Sequence, residues 1–427
     1  MSNYIDKFSN IQPITGIQKR PEQQPVAALS QQQTVVKNEE LGTNILERFL
    51  QNQGIVMAAT QVMAPDSSKQ VNEPYKNTLK SKFQNNDAQI MGIIVRSLGA
   101  KDNGGNQLIR EGDVQGTLVN AVSRLDEMKN LGINTFHILP IHPAGKENAF
   151  GTAGSVYAPL KFVEENGDLA IDPLIVDENP SEEAREAIAK IYKEKTGKDL
   201  VKMDKNDQDV RFAQFKYFID ECHKRGISAM LDLPSCASFD LYKAHPELMS
   251  REKDGTPKTP GGWNDIRMFA PFEDESKRTL NKPLLEMHKN LVKSCHDLGV
   301  DGIRADVSRA KPTEFWDILI NYSHELDPEF AWLAETYTYE DASPQLNMNY
   351  DRPEDALRAG FDSYYGQYHI FHEWDTASKV IDYVKENIEL SNNLQAGKSA
   401  IGSFGTHDDI SIMNPGGVNY TNLVSGL

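Results

Sequence analysis

The sequence predicts an α/β protein whose parallel strands close into a (β/α)8 TIM-type barrel. One observation is a recurring unit of amphipathic helix, glycine and short apolar strand, seen at 118–131 with Gly132, at 212–225 with Gly226 and at 284–298 with Gly299. Another is the run of polar residues just behind successive apolar runs: Asp232, then Arg304 and Asp306, then Glu335, then His407 and Asp408. A barrel gathers such strand ends at one mouth, where the active sites of that fold lie. The last is negative. No Gly-x-Gly-x-x-Gly and no phosphate loop follows the first strand, which lowers the doubly wound, nucleotide-binding alternative.

Taken in order, residues 1–85 form a polar N-terminal segment expected to be mostly disordered. Gln31-Gln32-Gln33 and Pro21-Glu22-Gln23-Gln24-Pro25 cannot bury enough surface to offset their ordering entropy. The barrel is expected over 86–427. Ile90-Met91-Gly92-Ile93-Ile94-Val95 is too apolar for a strand with one wet face and reads as buried. Leu118, Ala121, Val122, Leu125, Met128 and Leu131 keep the helical period up to Gly132, and 133–140 is the next strand. The same alternation gives strands at 227–233, at 300–303 and, after a helix over 315–326, at 330–335. Long insertions near 141–208 and 234–276 are expected to be lids, small subdomains or binding walls.

Composition narrows the function classes. A net charge of -17 repels nucleic acid and anionic membranes and suits a neutral substrate. Three scattered cysteines, Cys222, Cys236 and Cys295, match no metal pattern and no disulfide framework, so a reducing compartment is expected. Met1-Ser2-Asn3-Tyr4-Ile5-Asp6 lacks a basic start before an apolar core, and no run of 18 apolar residues occurs. The expected location is cytoplasmic, with no nucleic-acid or membrane partner.

Arg304 and Asp306 stand two apart, which in a strand puts both on one face about 7 Å apart. A cation there keeps the carboxylate ionised, as a nucleophile requires; a structural ion pair is the plainer reading of Arg-x-Asp alone. Glu335, behind an apolar run, is expected to rise in pKa by desolvation and to suit a proton donor, or else to serve as a first-turn helix acid. His407-Asp408 ends a further strand or sits in a surface turn. One ionised carboxylate, one carboxylic acid and a third acid to brace positive charge are the equipment of a retaining glycosidase.

At these residues the chain resembles the α-amylase superfamily, glycoside hydrolase family 13. Gly302-Ile303-Arg304-Ala305-Asp306 is similar to its nucleophile motif, Ala334-Glu335 to its acid/base motif, and Phe404-Gly405-Thr406-His407-Asp408 to its His-Asp motif. Asp232, after Ala229-Met230-Leu231, stands where its first motif begins. The resemblance implies Asp306 as nucleophile, Glu335 as general acid/base and Asp408 as transition-state brace. Arg304, His407 and Asp232 would bind the reactive sugar, Arg309 a leaving-side hydroxyl, with Tyr157 and Tyr337 near the pocket. Leu139-Pro140-Ile141-His142-Pro143-Ala144-Gly145 and Lys311-Pro312-Thr313-Glu314-Phe315-Trp316 are similar to stretches of bacterial maltosyltransferases that use maltose 1-phosphate and α-1,4-glucan.

The departures are equally specific. Asp232 is followed by Leu233-Pro234-Ser235-Cys236-Ala237 instead of the family's Asn-His pair. No cofactor is expected, and the family's structural calcium is in doubt because a thiol is too soft a ligand. Only Ile410 to Leu427 follow Asp409, where a further helix, strand and helix need about 40 residues. The barrel is therefore expected to lack the usual strand eight and the C-terminal β-sandwich. The function expected is a retaining α-glucan hydrolase or glycosyl transferase working through a covalent glycosyl-enzyme. The alternative is a truncated, catalytically impaired barrel that binds glucan or acts as a scaffold.

Overall fold

The computed structural model describes residues 75–105, 112–150, 154–260, 263–336, 353–365, 376–402 and 406–408. The chain divides into units 1–74 and 75–427, and all described residues lie in the second. The expected disorder of the N-terminal segment therefore falls, for 1–74, outside the described residues.

The main sheet has strands β1 (Ile90–Ile93), β2 (Thr135–Ile138), β3 (Ser228–Leu233), β4 (Gly302–Ala305), β5 (Ala331–Glu335), β6 (Ser363–Tyr365) and β7 (Ser399–Ala400). They lie side by side in chain order, and each pair of neighbours is parallel. A doubly wound sheet reverses its order at a switch point; this sheet never does, so the architecture is a partial (β/α) barrel. Among the described residues β1 and β7 are the sheet's two edges and do not pair with each other. The segment beyond Asp408, where strand eight was expected to be missing, lies outside the described residues.

The helices cover the outer face. The expected helix over 118–131 begins as a 3-10 turn, Asn120–Arg124, and continues as α2 (Leu125–Asn130), after the short floor helix α1 (Leu79–Gln84). Farther on come α3 (Glu182–Thr196), α4 (Gln208–Lys224), α5 (Lys282–Leu298), α6 (Thr313–Leu326), α7 (Pro353–Arg358) and α8 (Ala377–Asn393). Helix α5 shows why these segments are helical. The Asn281 side chain caps it through the Leu284 amide, Pro283 fits its first turn, and Gly299 at φ 81° ends it in the left-handed conformation. Its buried stripe of Leu284, Leu291, Val292, Cys295 and Leu298 packs on the sheet.

The insertion between β2 and β3 carries α3, and α4 after it is the helix expected over 212–225. The insertion after β3 carries two short antiparallel pairs, Cys236–Ser238 with Ile266–Met268 and Phe272–Asp274 with Thr279–Leu280. Both stretches, 141–208 and 234–276, were expected to be long and irregular. Helix α3 has only Ala184 and Ile188 buried, and the antiparallel strands are two or three residues long, so neither shows a clear hydrophobic period.

The floor of the barrel comes from a part of the chain that sequence patterning assigned to the polar N-terminal segment. Helix α1 puts Leu79 and Phe83, 0% and 1% exposed, against Met230, Ala331, Leu333 and Tyr365. Lys82 fastens it by donating to the carbonyl of Asn134 at 2.7 Å and to Ser228 Oγ at 2.9 Å. Gly302 is required beneath it. A Cβ there would lie 2.4 Å from the Ala331 carbonyl oxygen and 3.0 Å from Leu79 Cδ2. Phe83→Ala is expected to lower the unfolding free energy by about 3 kcal/mol through the cavity it leaves. Urea denaturation of the full chain measures this, and an unchanged midpoint would mean that α1 stands outside the cooperative unit.

Candidate active site

Strand register builds the site. Asp232 is the Cα partner of Arg304 across β3 and β4, and Glu335 is the partner of Tyr365 across β5 and β6. Because the strands are parallel and in order, their C-terminal residues emerge as neighbours at one end of the sheet. Asp306 lies one residue beyond β4.

Arg304 is the hub. Its side chain is 0% exposed, and Nη1 donates to both oxygens of Asp232 and to Asp306 Oδ1, each at 2.9 Å. Nη2 donates to Glu335 Oε2 at 2.6 Å, and Nε donates to the Tyr365 hydroxyl at 2.8 Å. Burial works against its charge, but Asp232 and Glu335 more than offset this and push the guanidinium well above its ordinary pKa. Asp232 is likewise fully buried. Burial alone would raise its carboxyl; Arg304 and His137 overcome that and hold it well below the usual carboxylate range.

Asp232 collects two further donors. His137 Nε2 lies 2.7 Å from Oδ2 and must carry the hydrogen, since an ionised carboxylate only accepts. The Tyr157 hydroxyl donates to the same oxygen at 2.7 Å, and its oxygen lies 2.8 Å from His407 Nε2. The Tyr157 and His407 rings are stacked, with centroids 5.6 Å apart and planes 4° from parallel. Burial lowers the His137 pKa despite Asp232, so its imidazole is neutral, and burial with the charge of Asp232 pushes the Tyr157 phenol well up. With no exposed surface, Arg304 and Asp232 orient their neighbours and do not themselves face solvent.

The carboxylates nearer the surface are held from several sides. Glu335, 3% exposed, accepts at Oε2 from Arg304 and from the Val307 amide at 2.7 Å. Val307 has φ 37° and ψ 62°, a left-handed conformation that a β-branched residue adopts only at a cost of about 1–3 kcal/mol. Such strain concentrates at functional turns. The Asp306 side chain is 15% exposed and accepts at Oδ2 from Ser235. Asp408 is half exposed and lies 3.3 Å from His407 Nε2; burial raises its carboxyl against the pull of His407 and Arg304.

Asp232, Arg304, Asp306, Glu335, Tyr157 and His407 thus form one hydrogen-bonded cluster, with Asp408 joined through His407. Arg309 is buried in the 3-10 turn Ser308–Ala310, and Tyr337 lies outside the described residues. Sequence reasoning missed His137, Ser235 and Tyr365. His137 reads as one more residue of a buried strand, and only the cross-strand register reveals its carboxylate partner. A cavity of about 650 Å³ meets the cluster at His137, Tyr365 and His407 and reaches Phe83 at the floor. It runs along the edges of β1 and β7, which are unpaired among the described residues, and Asp306 and Glu335 do not line it.

The calcium that the resemblance implies does not fit here. Cys236 is buried, and burial with the neighbouring Asp306 pushes its thiol up to about 12, so it offers a neutral sulfur where calcium needs a hard oxygen.

Lys311 lies behind Asp306 and is 1% exposed. Its Nζ has no hydrogen-bond partner among the described residues and stands 5.3 and 5.4 Å from the ring centroids of Phe269 and Trp316. Burial lowers its pKa from 10.5 to about 8, with Cys236 and Asp306 opposing. Below about pH 8 the folded protein carries the full cost of the buried ammonium. Between that pH and 10.5 the folded state has lost the proton that the unfolded chain keeps, so the cost shrinks as pH rises. Lys311→Met is therefore expected to stabilise the protein by about 3 kcal/mol at neutral pH, a gain that fades toward pH 10.5. Chemical denaturation at several pH values measures it, and a pH-independent difference would refute the assignment.

No family model matches the chain. In sequence it is similar to the α-1,4-glucan:maltose-1-phosphate maltosyltransferase of Myxococcus xanthus, 26% identical over 246 residues, covering 54% of this chain and 31% of that protein. The enzyme of the same name from Cereibacter sphaeroides is 26% identical over 278 residues, 64% of this chain and 39% of the relative. The chain thus spans about a third of the length of the curated relatives it matches. Among solved structures, an α-amylase from Lactobacillus plantarum superposes with a TM-score of 0.56 at 22% identity, covering 77% of this chain and 64% of that one. A noncanonic maltogenic α-amylase, AmyB, from Thermotoga neapolitana gives a TM-score of 0.50 at 22% identity, covering 76% and 61%. The fold is thus similar to that of α-amylases, and the sequence is similar to that of maltosyltransferases.

Proposed function

We propose that this chain carries a retaining α-glucan-active site, hydrolytic or glycosyl-transferring. The observation that supports it is the sharing of one buried guanidinium by Asp306 and Glu335 at the C-terminal mouth of the sheet. In this reading Asp306 attacks the anomeric carbon while Glu335 protonates the departing oxygen. Glu335 then takes the proton of water or of an acceptor sugar as that oxygen displaces Asp306. Asp408 stabilises the oxocarbenium-like charge, and His407 and Tyr157 meet the sugar in the reactive subsite. Arg304 and Asp232, with no exposed surface, act as positioning groups. The names of the sequence relatives point to α-1,4-glucan and maltose 1-phosphate as acceptor and donor classes.

A cytoplasmic site of action is supported by three free, buried cysteines. Among the described residues no helix is long and apolar enough to cross a membrane. A net charge of -17 favours a neutral glucan over nucleic acid.

The second reading is a barrel that binds glucan or a protein partner without catalysis. It draws on the cavity, whose walls include His407 but neither Asp306 nor Glu335.

Both readings meet in one assay. The full chain is offered maltooligosaccharides, maltose 1-phosphate with α-1,4-glucan, and α-maltosyl fluoride, and release and transfer are followed for wild type and Asp306→Ala. Catalysis predicts a loss of at least about a thousandfold on substitution, as removal of a nucleophile usually gives. Two equally inert proteins that both bind oligosaccharide would leave the binding reading standing.

A further inference from the structure

Ser235 stands three residues after Asp232, in the stretch that departs from the α-amylase motif the chain otherwise resembles, and is 3% exposed. Its amide donates to Asp306 Oδ2 at 3.0 Å and its hydroxyl to the same oxygen at 2.8 Å. A carboxylate oxygen has two lone-pair sites, so among the described residues Oδ2 is filled. Among the described residues Oδ1 accepts only from Arg304, which leaves one lone pair. The two oxygens are therefore unlike: one is held by a paired donor set, the other is left able to form a bond.

We propose that Ser235 is a positioning residue for Asp306, which leaves Oδ1 to attack and hastens the later release of the glycosyl group. The proposal rests on the retaining-glycosidase reading. In the first step Oδ1 bonds to the anomeric carbon, the bond to the leaving oxygen breaks with its electron pair going to that oxygen, and Glu335 supplies the proton. The product is an ester whose carbonyl oxygen is Oδ2. In the second step an acceptor oxygen bonds to the anomeric carbon and gives its proton to Glu335. The Oδ1 bond breaks, and its electron pair returns to a carboxylate whose charge spreads onto Oδ2.

Donors aimed at Oδ2 bind that charge more strongly than the neutral ester carbonyl. They favour the free carboxylate over the ester. They hold back the first step and speed the second, which shortens the life of the intermediate. A role confined to the fold would not discriminate between the two steps.

The test is rapid quench of the full chain with α-maltosyl fluoride, reading fluoride release and the intact mass of the protein. Ser235→Ala removes one of the two donors, and Ser235→Thr keeps the hydroxyl. The alanine variant is expected to show a burst of fluoride and a covalent adduct on Asp306, with a second step about tenfold slower and a lower KM. The threonine variant is expected to return toward wild type. An active wild type whose adduct level and burst are unchanged in Ser235→Ala overturns the role of Ser235 alone. So does an alanine variant slowed only in the first step. A wild type that releases no fluoride and forms no adduct overturns the glycosidase reading as well.

Discussion

One buried guanidinium governs the upper half of this molecule. Arg304 reaches Asp232, Asp306, Glu335 and Tyr365, which stand on or just past four neighbouring strands. A cation with no access to water is tolerable only if its donors are met, and removing one partner of such a set typically costs about 3–5 kcal/mol. The requirement works in both directions. Three carboxyl groups crowd around a single positive charge, and Arg304 offsets the repulsion that would otherwise build up among them. A one-residue slip between β3 and β4 would turn Asp232 away from Arg304 and leave both buried charges unpaired. The polar cluster thus fixes register as well as chemistry.

The lower half rests on apolar packing. Helix α1 closes the floor with Leu79 and Phe83, and Gly302 is small because the backbone of β5 and the side chain of Leu79 both approach it. Core and cluster share strands: β4 begins at Gly302 on the floor and two residues later reaches Arg304. On β5, Leu333 packs into the floor cluster and Glu335 rises into the polar one. The alternation of a strand carries apolar support and catalytic candidates on the same face, one layer above the other.

The share of this that the sequence revealed depends on how much a one-dimensional pattern can hold. Helices ending at Gly132, Gly226 and Gly299 were legible because a left-handed glycine leaves a local mark. Arg304 and Asp306 were legible because their spacing lies within one strand, and Asp232, Glu335 and His407 because each follows an apolar run. His137, Ser235 and Tyr365 were not. Each acquires its partner across strands, 61 to 95 residues away, and no local period encodes that. Helix α1 escaped for another reason. Six residues with two buried side chains are too few for a hydrophobic period to rise above a polar background. Glu335 was expected as an isolated acid behind an apolar run, whereas it is tied to Arg304 and to a strained amide.

The altered stretch after Asp232 changes how the cluster is supported. The family pattern would place an asparagine and a histidine there; this chain has Ser235, Cys236 and Ala237. Asp232 is nonetheless held from several sides, with Arg304 on both oxygens and His137 and Tyr157 on Oδ2. The histidine that meets Asp232 arrives from β2 instead of from the segment after β3. Its neutral imidazole can donate but adds no positive charge to the site. Cys236, as a neutral thiol, contributes neither charge nor a hard ligand. The electrostatic balance at the mouth therefore falls first on Arg304, with Arg309 and Lys311 buried on the chain just after Asp306. A site with so little positive charge and so many ordered donors is suited to a neutral, hydroxyl-rich ligand. Of the two proposed ligand classes this favours the glucan, since the phosphate of maltose 1-phosphate would have to compete with three carboxylates for the guanidinium they already share.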